Sequence, residues 1–473
     1  MEQAQLVYLG RRSFPPELPS DMLTAFFKFS ADELTFINSH RYVSYRIAVG
    51  LQIGFLRATG CSLSGSAIIP ESVLRYIARQ LNVDRLPRIT SFKTLYARRE
   101  RTLADHRAQV IALMRWVALT DHHRHRIRQW IGIRLFAEPE VVPQLPPDLR
   151  ILLYRHRILI ASDRALRHLV AQARQHINET SYAILLDAFG ESALVHWDAI
   201  MLQMPDARNT VRNRLRCIVL QPAPCPIETL ADVVALLYSL DIQRTWPADL
   251  PAAAIRYHGE RYARRTVAMA RRIDSSLRRL ETACFLRCAF CRATNYLIEQ
   301  LCDWCTHTLA RIGQLVDTNP PDFGIPAREF ARTVMTLSAD FSQPAAQVLQ
   351  RLHELAHDQL ERLSATRATR VRARLLAWEP RAGGILAKLV HLAFNASRAH
   401  PAIGALHELR SIYAHQSSTL PFDVPFPQPR RWKAQASSDD RRLALRAYEW
   451  ATLFALCSAW KDGSIRVEHC ERF

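Results

Sequence analysis

Along most of this chain apolar side chains recur at three- and four-residue spacing, the period of a helix with one buried face. Ser30 followed by Glu33 forms a capping box that predicts a helix start. Residues 45–56 (YRIAVGLQIGFL) are nearly all apolar and lack proline, which predicts a buried helix ending by Arg57 and Gly60. Pro70-Glu71 opens a further helix with Val73, Leu74, Ile77 and Leu81 on one stripe. After Pro87, Thr90 or Ser91 is expected to cap one long helix with Phe92, Leu95, Leu103, Val110, Leu113 and Val117 on its apolar face and cations on the others.

Prolines and turn residues divide the pattern into blocks. Residues 138–148 (EPEVVPQLPPD) hold four prolines and are expected to form a linker. A second helical block takes in residues 149–160 and 165–177 and is punctuated by Pro222, Pro224 and Pro226. Residues 317–326 (DTNPPDFGIP) break the chain again. The third block is helical to about Gln416, crosses a proline-rich loop at 420–429, and ends in a helix over 441–460. Lys461-Asp462-Gly463 supplies a turn, and residues 465–467 read as a short strand. The reading is an all-α fold of several helical bundles with helix-turn-helix-like modules and one short β element near the C-terminus. Its domains span 1–137, 149–316 and 327–473.

Composition supports a folded, helix-rich chain: 473 residues, 49% hydrophobic, 14 Gly and 25 Pro. Charge changes the picture further. The formal net charge is +19, and arginine outnumbers lysine 58 to 5. Residues 85–134 carry twelve cations against Glu100, Asp105 and Asp121, and residues 255–292 carry ten arginines against Glu260, Asp274 and Glu281. Clustered cations neutralise phosphates and release counterions, so nucleic acid, DNA or RNA, is the first partner expected. No apolar run approaches the ~20 residues that span a bilayer, and the N-terminus lacks the order of a secretion signal. A cytoplasmic, nucleoid-associated protein with no membrane partner is expected.

Two constellations invite a metal. Cys288 with Cys291 and Cys302 with Cys305 form two C-x-x-C pairs, but the ten residues between them contain neither Gly nor Pro to turn the chain. On one helix these cysteines and Cys284 share a face as small core residues, and the pairs lie too far apart for one ion. His122, His123 and His125 are interleaved with Arg124, Arg126 and Arg128, which suits phosphate rather than a cation. Glycine-rich phosphate loops, the G-x-S-x-G elbow and H-E-x-x-H are absent from the sequence, so no cofactor, metal or catalytic residue is expected.

Several stretches, in order, resemble the N-terminal half of the Tn-three family of replicative bacterial transposases. These are FKFSADELTFI and RIAVGLQIGFLRATG within residues 27–60, YARRER at 96–101 with Asp105-His106, RHRIL at 155–159 with residues 166–174, PFPQPRRW at 425–432, Tyr448-Glu449, and KDGSIRVEHCERF at 461–473. The sequence departs from the pattern at His469-Cys470, where a Gly-Ser pair is expected, and at Arg466, where an aromatic is usual. The resemblance implies recognition of transposon terminal inverted repeats in double-stranded DNA and help in pairing two ends, hence self-association. It also implies that strand transfer belongs to an Asp-Asp-Glu set on an RNase-H-like fold beyond every matched stretch. This chain is therefore expected to be non-catalytic by itself, or a subunit completed by a separate catalytic partner; a helical interaction scaffold is the other class. The residues expected at DNA are Lys93, Arg98, Arg99, Arg101, Arg124, Arg126, Arg128, Arg155, Arg157, Arg264, Arg265, Arg271 and Arg272.

Overall fold

The computed structural model describes residues 6–15, 17–85, 91–96, 99–203, 210–220, 226–243, 245–318, 324–339, 344–378, 382–390, 392–396, 400–427, 432 and 439–467. Among the described residues it is all-α apart from one two-stranded ribbon. The chain divides into unit 1, residues 1–187 with 249–257, and unit 2, residues 188–248 with 258–473.

Unit 1 begins with α1 (Ser20–Phe27), α2 (Ala31–Asn38) and α3 (Val43–Thr59). Ser30 and Glu33 close the capping box expected at the start of α2. Helix α3 is buried from Ile47 to Leu56, as its apolar run demands. Gly50 and Gly54 face one side of it, and a Cβ at Gly54 would lie 2.2 Å from the Phe27 ring. Each glycine costs a helix interior roughly 1 kcal/mol; here the missing side chains admit Phe29 and Phe27 to the core.

After α4 (Glu71–Gln80), with Val73, Leu74 and Ile77 buried as expected, the basic segment departs from the sequence reading. The single long helix is two pieces, a 3-10 turn (Phe92–Tyr96) and α5 (Glu100–Leu113), which begins without a side-chain cap and ends short of Val117; α6 (Asp121–Ala137) follows as a separate helix. Phe92, Leu95 and Tyr96 are driven into the core by their apolar bulk. The Tyr96 hydroxyl accepts from the Gln52 amide at 2.8 Å and lies 3.2 Å from His106 Nδ1. The proline-rich stretch is likewise no linker: Pro139–Val141 forms a buried 3-10 turn and α7 (Leu145–Arg155) starts soon after. Pro146 and Pro147 occupy its first turn, where a backbone N–H would have no helical partner. Helices α8 (Asp163–Phe189), α9 (Glu191–Gln203), α10 (Val211–Leu220), α11 (Ile227–Ser239), α12 (Ala252–Ala263) and α13 (Val267–Arg271) follow.

Unit 2 is organised on α14 (Ser275–Thr318), 44 residues long. Cys284, Cys288, Cys291, Cys302 and Cys305 are buried along this one helix and in no disulfide, as expected of core residues. Helices α9, α10 and α11 pack on it, as do α16 and α19 among α15 (Gly324–Ser338), α16 (Ala345–Leu376), α17 (Ala382–Leu389), α18 (Pro401–Ala414) and α19 (Arg441–Lys461). Trp304 stacks on Trp450, and the Cys305 and Cys457 sulfurs are 3.5 Å apart. Gly463 turns the chain with φ 77°, and β2 (Ile465–Val467) pairs antiparallel with β1 (Phe394–Ala396), Phe394 opposite Val467. The expected strand is thus present. No helix of the described residues is long and apolar enough to cross a membrane.

Candidate nucleic-acid interface

Three helix C-termini of unit 1 supply the walls of a cleft. Helix α5 ends in a Schellman motif: Arg115 takes φ 56°, its N–H donates to the Ala112 carbonyl, and Trp116 N–H reaches back to Ile111 (2.9 Å). Helix α7 ends in the same way, with Arg157 at φ 53° and Ile158 N–H on the Leu153 carbonyl (2.9 Å). The two tails are then tied by a parallel bridge, Val117 N–H donating to the Arg157 carbonyl and Leu159 N–H to that of Val117, both at 2.9 Å. Helix α3 brings Arg57, whose own carbonyl accepts from the Tyr154 hydroxyl at 2.6 Å.

The resulting cleft has a volume of about 660 Å³ and is lined by Arg57, Leu113, Met114, Arg115, Trp116, Tyr154, Arg155 and Arg157. Trp116 and Tyr154 meet edge to face at 5.3 Å. Arg57 pairs with Glu33 (2.5 Å) and also donates to the Phe26 and Lys28 carbonyls. Arg115, Arg155 and Arg157 are exposed and make no ion pair among the described residues. Helix C-termini carry about −0.5 charge each, so four guanidiniums against Glu33 and three such ends still leave the cleft at about +1.5. A left-handed backbone costs an L-residue roughly 1–2 kcal/mol, and glycine is the usual tenant of that position. Arginine stands there twice, on the wall of one cleft.

The other expected residues are distributed as follows. Arg126 and Arg128 are exposed in the first two turns of α6, behind a capping box of Thr120 and His123, and Arg124 pairs with exposed Asp121 at 3.2 Å. Lys93 pairs with Glu100, whose carboxyl it holds below the usual range. Arg99 and Arg101 are exposed, and Arg98 lies outside the described residues.

In unit 2 the arginines meet carboxylates. Glu281, fully buried on α14, accepts from Arg265 (2.7 and 3.1 Å) and from Arg261 (3.1 Å). Glu260 holds Arg264 (3.3 Å) and Arg292 (2.8 Å), and Asp198 holds Arg278 (2.9 Å). Arg271 donates to the Leu202 carbonyl at 3.2 Å, and both Arg271 and Arg272 are exposed.

Sequence reasoning selected Arg155 and Arg157 but missed Arg57 and Arg115. Nothing local marks them, because only the converging helix ends bring residues 57, 115 and 155 together. Among the described residues no three His, Cys, Asp or Glu side chains are grouped closely enough to hold a metal ion.

Fold and cleft together define an all-helical protein with a cationic, aromatic-walled surface in its N-terminal unit. Residues 10–175, nearly all of unit 1, match a family described as a domain of unknown function, DUF4158. The whole chain is 27% identical over 478 residues to a transposase for insertion sequence element IS1071 in transposon Tn5271 from Comamonas testosteroni. Over 120 residues, 24% of the chain, it is 30% identical to a transposase for transposon Tn1546 from Enterococcus faecium. It spans 48% of the first relative's length and 12% of the second's. The similarity is to transposases in both cases.

Proposed function

We propose that this chain is the DNA-binding portion of a transposase, recognising the terminal inverted repeats of its element and making no catalytic contribution by itself. The observation that carries this reading is the alignment of the chain, end to end, with a transposase. Chemistry supports it: exposed arginines of unit 1 without carboxylate partners suit phosphates, which position a protein on duplex DNA while a few base contacts specify sequence. The contacts fall to Arg99, Arg101, Arg126, Arg128, Arg155 and Arg157, with Arg271 and Arg272 from unit 2. Lys93, Arg124, Arg264 and Arg265 reach DNA only by leaving their ion pairs. The exposed Met335, Leu349 and Leu360 of α15 and α16 favour an additional protein-contact role, which suits self-association for end pairing or docking of a catalytic segment.

The test is a gel shift of purified protein with inverted-repeat and scrambled duplex at two salt concentrations. The expected result is tighter binding to the repeat, by a factor of about 10³ at physiological salt, and a steep salt slope. Equal, weak binding of both duplexes overturns the reading. The same protein with magnesium or manganese is expected to leave supercoiled plasmid un-nicked; metal-dependent nicking that co-purifies with the chain and is lost with its DNA binding in Arg126→Ala overturns the non-catalytic part.

A further inference from the structure

We propose that the cleft of Arg57, Arg115, Trp116, Tyr154, Arg155 and Arg157 binds a single unpaired nucleotide, its phosphate on the arginines and its base against the aromatic wall. Duplex binding by the chain bears only on where that nucleotide comes from; the site itself rests on its own geometry.

Three observations carry it. First, the cleft is concave and of about 660 Å³, within the range of pockets that enclose small ligands. A paired strand presents its phosphates on a convex rail and keeps its bases inside the helix, so it offers such a recess a phosphate and nothing to fill the rest. An unpaired nucleotide brings both parts. Second, the lining is of two kinds, guanidiniums for an anion and an indole and a phenol with Leu113 and Met114 for a flat apolar ring. Third, the backbone bends into the left-handed region at Arg115 and again at Arg157. Glycine would satisfy both Schellman motifs without strain, so what these positions retain is the side chain. Arg157 has a further tie, donating to the Met114 carbonyl at 3.3 Å, which sets its guanidinium beside the α5 end.

Arg115→Gly separates binding from architecture, because it keeps the turn and deletes the cation. Fluorescence anisotropy with a labelled 5′-phosphorylated hexathymidylate, competed by dTMP or by inorganic phosphate, reads the site in the full chain. Arg115→Gly and Arg155→Ala are each expected to weaken hexathymidylate binding about tenfold or more with an unchanged or raised melting temperature. dTMP is expected to compete at least about tenfold better than phosphate, because the base contributes. Hexathymidylate binding tighter than dTMP assigns the nucleotide to a DNA strand, and equal binding assigns it to the free pool; both uphold the site. Full affinity in both variants, or phosphate competing as well as dTMP, overturns it. Inverted-repeat duplex run alongside tests the DNA-binding reading separately, since dTMP binding persists if duplex binding fails.

Discussion

Unit 1 and unit 2 use similar arginine-rich sequences in different ways. In unit 2, Glu281, Glu260 and Asp198 take up Arg261, Arg264, Arg265, Arg278 and Arg292 of the basic stretch 258–292, and the fully buried Arg212 lies over the Tyr262 ring at 5.6 Å. In unit 1, Arg99, Arg101, Arg115, Arg126, Arg128, Arg155 and Arg157 make no ion pair among the described residues. Local cation density is therefore a poor guide to a binding surface. The deciding quantity is how many carboxylates the fold delivers to each cluster.

The largest effect is expected in unit 2. Glu281→Gln leaves two partly buried guanidiniums without their counter-ion, and breaking such a pair costs about 3 kcal/mol, the lower end for buried pairs because Arg261 keeps 29% of its side-chain surface in water. Urea denaturation should show a stability loss of that size, with the proposed duplex binding unaltered; an unshifted midpoint breaks the comparison. The corresponding change in unit 1, Arg126→Ala with Arg128→Ala, should leave the urea midpoint where it was. It should flatten the salt slope of duplex binding by about 0.9 for each phosphate no longer neutralised, and a stability loss without a slope change would assign these arginines to the scaffold.

A smaller effect sharpens the account of the cleft. Arg115→Gly relieves about 1 kcal/mol of left-handed strain and loosens the unfolded chain by somewhat less, for a net gain of about 0.5 kcal/mol by thermal unfolding. A clear loss would mean that the side chain supports the fold. The smallest effect is a pH dependence. Burial, then the neighbouring His40, holds the His106 pKa below the ordinary histidine value. The unfolded state therefore binds the proton more readily, so stability is present above about pH 6.5 and falls as the pH drops through the range between the two pKa values. His106→Gln should flatten that part of the stability profile, and an unchanged slope would exclude His106 as its source.

Much of the architecture was legible in the sequence. The capping box at Ser30, the apolar run of α3, the stripe of α4, the cysteine face of α14 and the turn at Gly463 each follow from local chemistry that the tertiary structure leaves intact. The basic segment was not legible, because its breaks carry no Gly or Pro. Arg115 holds the left-handed cap, and Phe92 and Tyr96 are drawn into the core where a continuous helix would have kept them on one face. The proline-rich stretch misled for the opposite reason, since Pro146 and Pro147 fit a first helical turn. Half of the cleft was equally silent: Arg155 and Arg157 stand in a stretch that the sequence singled out, whereas Arg57 and Arg115 join them only where three helices end together.

The packing of Cys302 and Trp304 against α19 carries a consequence for how the chain is made. Cys302 meets its partner Cys457 at a separation of 155 residues. At translation rates of about 5–20 residues per second, that face of α14 emerges on the order of ten seconds before the helix that covers it. The main hydrophobic cluster of unit 1 runs from Leu9 to Ala173, and residues 249–257, which complete the unit, are made well before α19. During synthesis, then, this face of unit 2 is left uncovered, with two thiols and an indole exposed until Trp450 arrives.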